Sequence, residues 1–161
     1  MVTLATGLIV VTALALVFVF SNRSFASLAN YLELDQKTQV TLDKMSREIR
    51  QVNQLSSYSS NQLVFVDYDS GTLQYIYDPS AQTLVRRKTG SGSETLLTGC
   101  TSLKFSIFQR SPNTNTFQPV STSTATNAKV IELTWNCSRK ILGSPVNNES
   151  MQSAMIVIRK K

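Results

Sequence analysis

The chain contains no histidine, which removes the commonest general base and the commonest metal ligand together. Its cysteines number only two, Cys100 and Cys137, without the CxxC spacing of a redox or metal box. A phosphate-binding Gly-rich loop, a nucleophile elbow and a Ser-His-Asp set are also missing. No catalytic activity, cofactor or metal is therefore expected. Charge is absent from residue 2 to residue 20, and the first charged side chain is Arg23. Between Ser21 and Leu55 there is neither Gly nor Pro.

The uncharged opening is what the rest of the chain is built around. At ~1.5 Å per helical residue such a run reaches about the ~30 Å of a bilayer's hydrocarbon core. It lacks a basic n-region and exceeds the ~7–15 apolar residues usual in a cleaved secretory signal. Small residues at 25–29 keep signal cleavage as the weaker alternative. With no Gly or Pro to stop it, the helix is expected to continue to Leu55, a rod of roughly 80 Å. Phe25, Leu28 and Leu32, then Leu42, Met45, Ile49 and Val52, recur at helical steps and read as one apolar stripe.

After a polar stretch, 56–61, expected to be a loop, the period changes to two. Strands are expected at 62–68, 73–77, 82–88, 94–97, 102–108, 129–137 and 154–159, joined by turns. The polar stretches 110–127 and 138–150 read as long surface loops. The fold class is α+β: a long N-terminal helix, transmembrane in its first half and amphipathic in its second, on an antiparallel β-sheet head. The expected division is 1–55 for the helix and 56–161 for the head. The sheet needs a cover, and Leu42, Met45, Ile49 and Val52 are the residues expected to supply it.

Net charge is +6, with short basic clusters at Arg86-Arg87-Lys88 and Arg159-Lys160-Lys161. A solvated basic surface is the plain reading, with nucleic acid or anionic lipid contact as its rival. Asp67-Tyr-Asp-Ser-Gly71, with Asp78 beyond, has a superficial likeness to a calcium loop. Strands flank it rather than helices, so a hairpin turn is its expected role. Tyr58, Tyr68, Tyr75, Tyr77 and Trp135 could line a binding surface, but strands favour aromatics anyway. Cys100 and Cys137 are expected to form one disulfide, as in an oxidising compartment, or else to remain two buried thiols.

The order of several segments resembles the type IV pilin superfamily. They are Met1-Val-Thr-Leu-Ala-Thr-Gly-Leu-Ile-Val-Val, Phe18-Val-Phe-Ser-Asn-Arg-Ser-Phe25, and Leu42-Asp-Lys-Met-Ser-Arg-Glu-Ile-Arg50. Tyr75-Ile-Tyr-Asp-Pro with Leu84-Val-Arg-Arg, and Leu96-Leu-Thr-Gly-Cys-Thr-Ser-Leu-Lys-Phe105, follow in the same order. Within the superfamily the chain is most similar to PilW-like minor pilins and the J-type minor pseudopilins of type II secretion. The resemblance is strongest in the helix and weaker after Ile107. It implies a structural minor subunit of a pilus or pseudopilus that primes or caps the filament.

Its implied partners are other pilin or pseudopilin subunits, the inner-membrane assembly machinery, and membrane lipid before assembly, with no specific nucleic acid. The implied location is the inner membrane by a single pass, with the head in the periplasm or at the cell surface. Leu4, Leu8, Val11, Ala15 and Phe18 would form the filament-core stripe, with Gly7 and Ala13 permitting close helix approach. The family's basic leader ending in Gly, and the Glu just after its cleavage point, have no counterpart here. Aligned by texture, Met1 falls two residues after that Glu, so the first residues of the family pattern are expected to be missing from this sequence. The reading from a different class is a membrane-anchored binding or sensor domain that never polymerises.

Overall fold

The computed structural model describes residues 2–111, 118–141 and 144–158, with side chains described at 6–111, 118–138 and 151–158. A single α-helix among them, α1, runs from Val2–Gln51. Nine strands follow: β1 Gln54–Ser59, β2 Gln62–Val66, β3 Thr72–Asp78, β4 Thr83–Lys88, β5 Gly92–Thr98, β6 Cys100–Gln109, β7 Val120–Ser121, β8 Val130–Ile141 and β9 Ser144–Val157. A short 3-10 turn, Ala125–Asn127, precedes β8. The fold is α+β, as the two periodicities imply, but the strands form two sheets rather than one. The first has the order β1-β2-β3-β4-β5, and the second β7-β6-β8-β9.

Helix α1 ends at Gln51, four residues before the expected Leu55. Val52 N–H still reaches Glu48 O at 3.2 Å, but Asn53 N–H is taken by Val66 O at 2.9 Å. The Asn53 amide also donates to Asp67 O at 3.0 Å. Capture by the sheet satisfies groups that the helix would otherwise have to bond, so the chain turns into β1. The stretch expected to be a loop at 56–61 is therefore mostly strand. A bulge between Leu55 and Ser57 places Leu55 and Tyr58 inward and leaves the serines outside.

In the meander β2 to β5, strands β2 and β3 alternate cleanly and β4 through Arg86, while β5 buries only Leu97. Leu63, Phe65, Leu73, Tyr75, Tyr77, Leu84 and Leu97 are buried, with Val64, Gln74, Ile76 and Val85 half-exposed on the other face. In the second sheet Leu103, Phe105 and Ile107 of β6 and Ile131, Leu133 and Trp135 of β8 face the same core. The two sheets are stitched at their junction. Tyr58 OH donates to Phe105 O at 2.9 Å, Phe105 N–H to Ser60 O at 2.9 Å, and Tyr77 OH to Cys100 O at 2.9 Å.

Stretch 138–150 departs from the loop expectation. It belongs to a long hairpin in which β8 and β9 remain paired out to Ile141 opposite Ser144. Within 110–127 lie β7 and the 3-10 turn, while 112–117 fall outside the described residues.

Candidate assembly helix and its seat on the head

Two apolar faces, not one, run along α1. The head-facing row is Leu34, Thr38, Thr41, Met45 and Ile49, all buried, with Val52 just past the helix end. Met45 and Ile49 have no exposed surface at all. Leu42 is half-buried at the core's margin. Its expected place in the row is taken by Thr41, whose hydroxyl donates to Leu96 O at 3.4 Å, while Thr38 donates to Asp35 O at 2.8 Å. Internal bonding lets these threonines sit in a buried face, and it is what hid the row from a reading based on apolar spacing.

Phe25, Leu28 and Leu32 belong to the other side. Twenty residues separate Phe25 from Met45, and at ~3.6 residues per turn that is about five and a half turns, which reverses the face. Phe25 is 68% exposed, Leu28 56% and Leu32 58%. The single stripe expected from the sequence thus divides into a seat for the head and an uncovered stripe opposite it.

Above them the helix is exposed all round. From Thr6 to Glu33 every described side chain is exposed except Ser21, Ser27 and Asn30, which are half-buried. Leu8, Val11 and Phe18 keep 67–70% of their surface, Ala15 is exposed, and a Cβ added at Gly7 would meet nothing within 4 Å. Leu4 lies within the helix, outside the residues whose side chains are described. The segment is long and apolar enough to cross a membrane and is compatible with a single-pass anchor.

What joins the helix to the sheet is partly ionic. Glu48 faces Arg86 of β4 and accepts a hydrogen bond from Tyr75 OH of β3 at 2.5 Å. Arg86 Nη1 also lies 3.8 Å from Glu94 of β5, whose carboxylate meets Lys44 of the helix at 2.6 Å. Burial, and then the hydrogen bond donated to the charged Glu48 carboxylate, hold the Tyr75 phenol far above its ordinary range. The hydrogen bond to Glu48 raises Arg86 despite its burial. Alternation along β4 assigns the basic cluster three separate places. Arg86 is buried under the helix, Arg87 is exposed, and Lys88 bonds Asp67 at 2.5 Å. The solvated surface expected there is thus limited to Arg87. Arg159, Lys160 and Lys161 fall outside the described residues.

The aspartates of the calcium-like stretch are each engaged locally. Asp67 is buried and paired with Lys88, Asp69 Oδ1 accepts from Gly71 N–H at 2.9 Å, and Asp78 Oδ1 accepts from Ser80 and Ala81 N–H. Tyr75, Tyr77 and Trp135 are buried, Tyr58 is half-buried and bonded, and Tyr68 is exposed with Lys88 5.4 Å from its ring centre.

Cys100 and Cys137 are bonded to each other across β6 and β8, where they sit directly opposite and fully buried. The bridge lies where the two sheets meet: Cys100 N–H donates to Gln82 O at 3.0 Å, and Ser138 N–H to Gly99 O at 2.8 Å. Gly99 is required there. Its φ is +71°, and a Cβ would stand 2.5 Å from Ser138 O.

No family model, curated protein or solved structure matches the chain.

Proposed function

We propose that this protein is a structural minor subunit of a type IV pilus or type II secretion pseudopilus. Its apolar helix is held in the inner membrane before assembly and packs among the helices of other subunits afterwards. The observation that carries the reading is that one continuous helix is seated in the head at one end and uncovered at the other. Residues 34–52 supply the seat, and residues 6–33 present a largely apolar surface on which every described side chain but Ser21, Ser27 and Asn30 is exposed. Such a surface requires lipid or other helices around it. The order of pilin-like segments in the sequence supports the finer assignment to minor subunits that prime or cap a filament.

In this mechanism Leu4, Leu8, Val11, Ala15 and Phe18 exchange lipid for neighbouring helices, and Gly7 and Ala13 let those helices approach closely. Phe25, Leu28 and Leu32, opposite the seat, extend that contact beyond the bilayer without disturbing the head. The head stands in the periplasm or at the cell surface, where its disulfide persists. The inner-membrane assembly machinery extracts the subunit from lipid. No specific nucleic acid is among the partners, and no chemistry is performed.

A photo-crosslinking residue placed at Leu8, Phe18 or Phe25 in cells that make filaments tests this. Adducts with other helical subunits, recovered in sheared filaments, are the expected result. Adducts with lipid alone at Leu8 and Phe18, and none at Phe25, would replace the filament reading with the non-polymerising anchored domain.

A further inference from the structure

Strands β1, β5, β7 and β9 lie at the ends of the two sheets, and all but β5 are covered or short. The 3-10 turn packs on β1, α1 lies along β9, and β7 is two residues long. Strand β5 is different. Among the described residues β4 is its one strand partner, and a groove of about 490 Å³ lies between β5 and α1. Helix residues between Glu33 and Lys44 form one wall, and every residue of 94–98 lines the other.

That unbroken run fixes what the groove touches. Glu94 and Leu97 stand opposite Arg86 and Leu84 on the core side, whereas Thr95 and Thr98 stand opposite Val85 and Thr83 and are exposed on the outer side. A cavity on one face of a strand is lined by alternate residues. One lined by successive residues lies along the strand's edge, where an edge strand presents its unpaired N–H and C=O groups. Leu96 is the extra residue of a bulge, and its carbonyl accepts from Thr41 Oγ1 only at a long 3.4 Å.

Size and chemistry define the occupant. From Glu33 to Lys44 the helix wall is roughly 17 Å long. From Glu94 to Thr98 the strand wall is roughly 13 Å, the length of about four or five extended residues. Leu34 and Leu97, each 2% exposed, give the groove an apolar floor, and Val40 at its lip keeps 62% of its surface. The charges on the walls are already matched, Lys37 with Glu33 at 3.2 Å and Lys44 with Glu94 at 2.6 Å. An incoming segment therefore needs no charge of its own, only an extended backbone and apolar side chains at alternate positions. Val40 also joins the groove to the uncovered stripe. It follows Leu32 by eight residues, about 80° around the helix at ~3.6 residues per turn, between that stripe and the seat.

We propose that an extended segment of a neighbouring subunit adds to the free edge of β5 as a sixth strand and seats its apolar side chains between β5 and α1. A subunit packed on Phe25, Leu28 and Leu32 is placed to deliver it, because Val40 continues their surface into the groove. Backbone pairing supplies the strength of the contact, and the groove selects the side chains. This occupant rests on the chain polymerising, so the test reads the stripe and the groove separately.

Photo-crosslinking residues are placed singly at Phe25, Val40 and Thr98 of the full chain in cells that make filaments, and adducts in sheared filaments are mapped by mass spectrometry. Phe25 is expected to capture helices of other subunits, and Val40 and Thr98 a non-helical segment of a neighbouring head. Amide exchange across 94–98 is expected to slow several-fold in filaments relative to the detergent-solubilised chain. Val40→Asp is expected to reduce the Thr98 adduct several-fold without moving the melting temperature, since Val40 is exposed. Should the charge lower that temperature, Val40→Ser reads the same contact. Adducts at Phe25 alone overturn the groove contact and leave the filament standing, and adducts at none of the three overturn both. Adducts at Val40 and Thr98 without Phe25 support the added strand and overturn the stripe as its route. Capture of a helix at Thr98, or unchanged exchange across 94–98, overturns strand addition. An undiminished Thr98 adduct in the Val40 variants overturns the groove as its seat.

Discussion

Arg86 and Glu48 meet at two points between sheet and helix: Arg86 Nε donates to Glu48 Oε2 at 2.8 Å, and Nη2 stands 2.7 Å from Oε1. The side chains keep only 8% and 19% of their surfaces. With Tyr75 OH on the same carboxylate oxygen, the pair specifies one seating of the helix on β3 and β4. An apolar stripe alone would permit the helix to slide by a turn. The charges cost desolvation, and they offset it only in this register.

Removing one partner should therefore be expensive. Glu48→Ala leaves a buried guanidinium and a buried phenol without their acceptor, an expected loss of about 3 kcal/mol. The double change Glu48→Leu with Arg86→Met should cost much less, because it removes both charges at once. Thermal unfolding of the detergent-solubilised chain checks the pair. Equal losses in the single and double variants would show that the ions do not act together.

How much of this was legible beforehand can be judged from particular residues. The long helix and the α+β class followed from missing Gly and Pro and from the change of period, both local signals. The seat of the helix was legible only at Met45, Ile49 and Val52. Thr38 and Thr41 share it, but their burial depends on internal hydrogen bonds that apolar spacing cannot register. Arg86 looked like part of a solvated basic run, and only its alternation with Leu84 on β4 hints otherwise. Strand β1 was hidden because its bulge breaks the period and most of its residues are polar. Of the β8–β9 ribbon, 129–137 and 154–159 are legible as strand, while 138–150 reads as a loop because it is rich in Ser and Asn, although strand pairing engages its backbone.

The Asp67–Lys88 bridge sets an acid limit on the head. Burial alone would raise the Asp67 carboxyl, but bonds from Lys88 and from Tyr68 N–H, with the nearby positive charge, hold it below its ordinary value. A depressed carboxyl contributes stability that is whole above the unfolded pKa, about 3.9, and is lost as pH falls through the folded value. Lys88 is raised chiefly by the bond to Asp67, so its contribution is whole below about 10.4 and is lost as pH rises through the higher folded value. Asp67→Asn should lower the melting temperature at pH 7 and flatten its decline below pH 4. Melting curves from pH 2 to 7 read this, and parallel curves for parent and variant would exclude the bridge as the cause.

The disulfide closes a separation of 37 residues. By the chain-entropy relation such a loop contributes about 4 kcal/mol, a value that is model-dependent. Both cysteines are fully buried, so a reductant should act on them mainly after the head opens. Protein isolated from the periplasm or cell surface should yield Cys100 and Cys137 in one linked peptide pair on non-reducing mapping. The Cys100→Ala with Cys137→Ala variant should melt well below the parent. Recovery of both as alkylatable thiols from native protein would contradict the linkage and the oxidising compartment together.

The sharpest separation of roles is between Ile49 and Leu8, two aliphatic residues of one helix. Ile49 is wholly buried against the head, and Leu8 keeps 70% of its surface. Ile49→Asn removes a packed aliphatic group and places an amide among apolar neighbours, an expected loss of about 3–5 kcal/mol. Much of the head's stability would disappear with it. Leu8→Asn touches nothing in the head, so the head's melting temperature should not move. It introduces a polar group into a surface that must be surrounded by lipid or helices, and insertion or filament assembly should fall instead. Thermal unfolding and a count of filaments on cells read the two effects independently. An unchanged melting temperature for Ile49→Asn would mean the helix is not the cover of the sheet. Undiminished filaments and insertion for Leu8→Asn would mean that the exposed half of the helix is not the assembling surface.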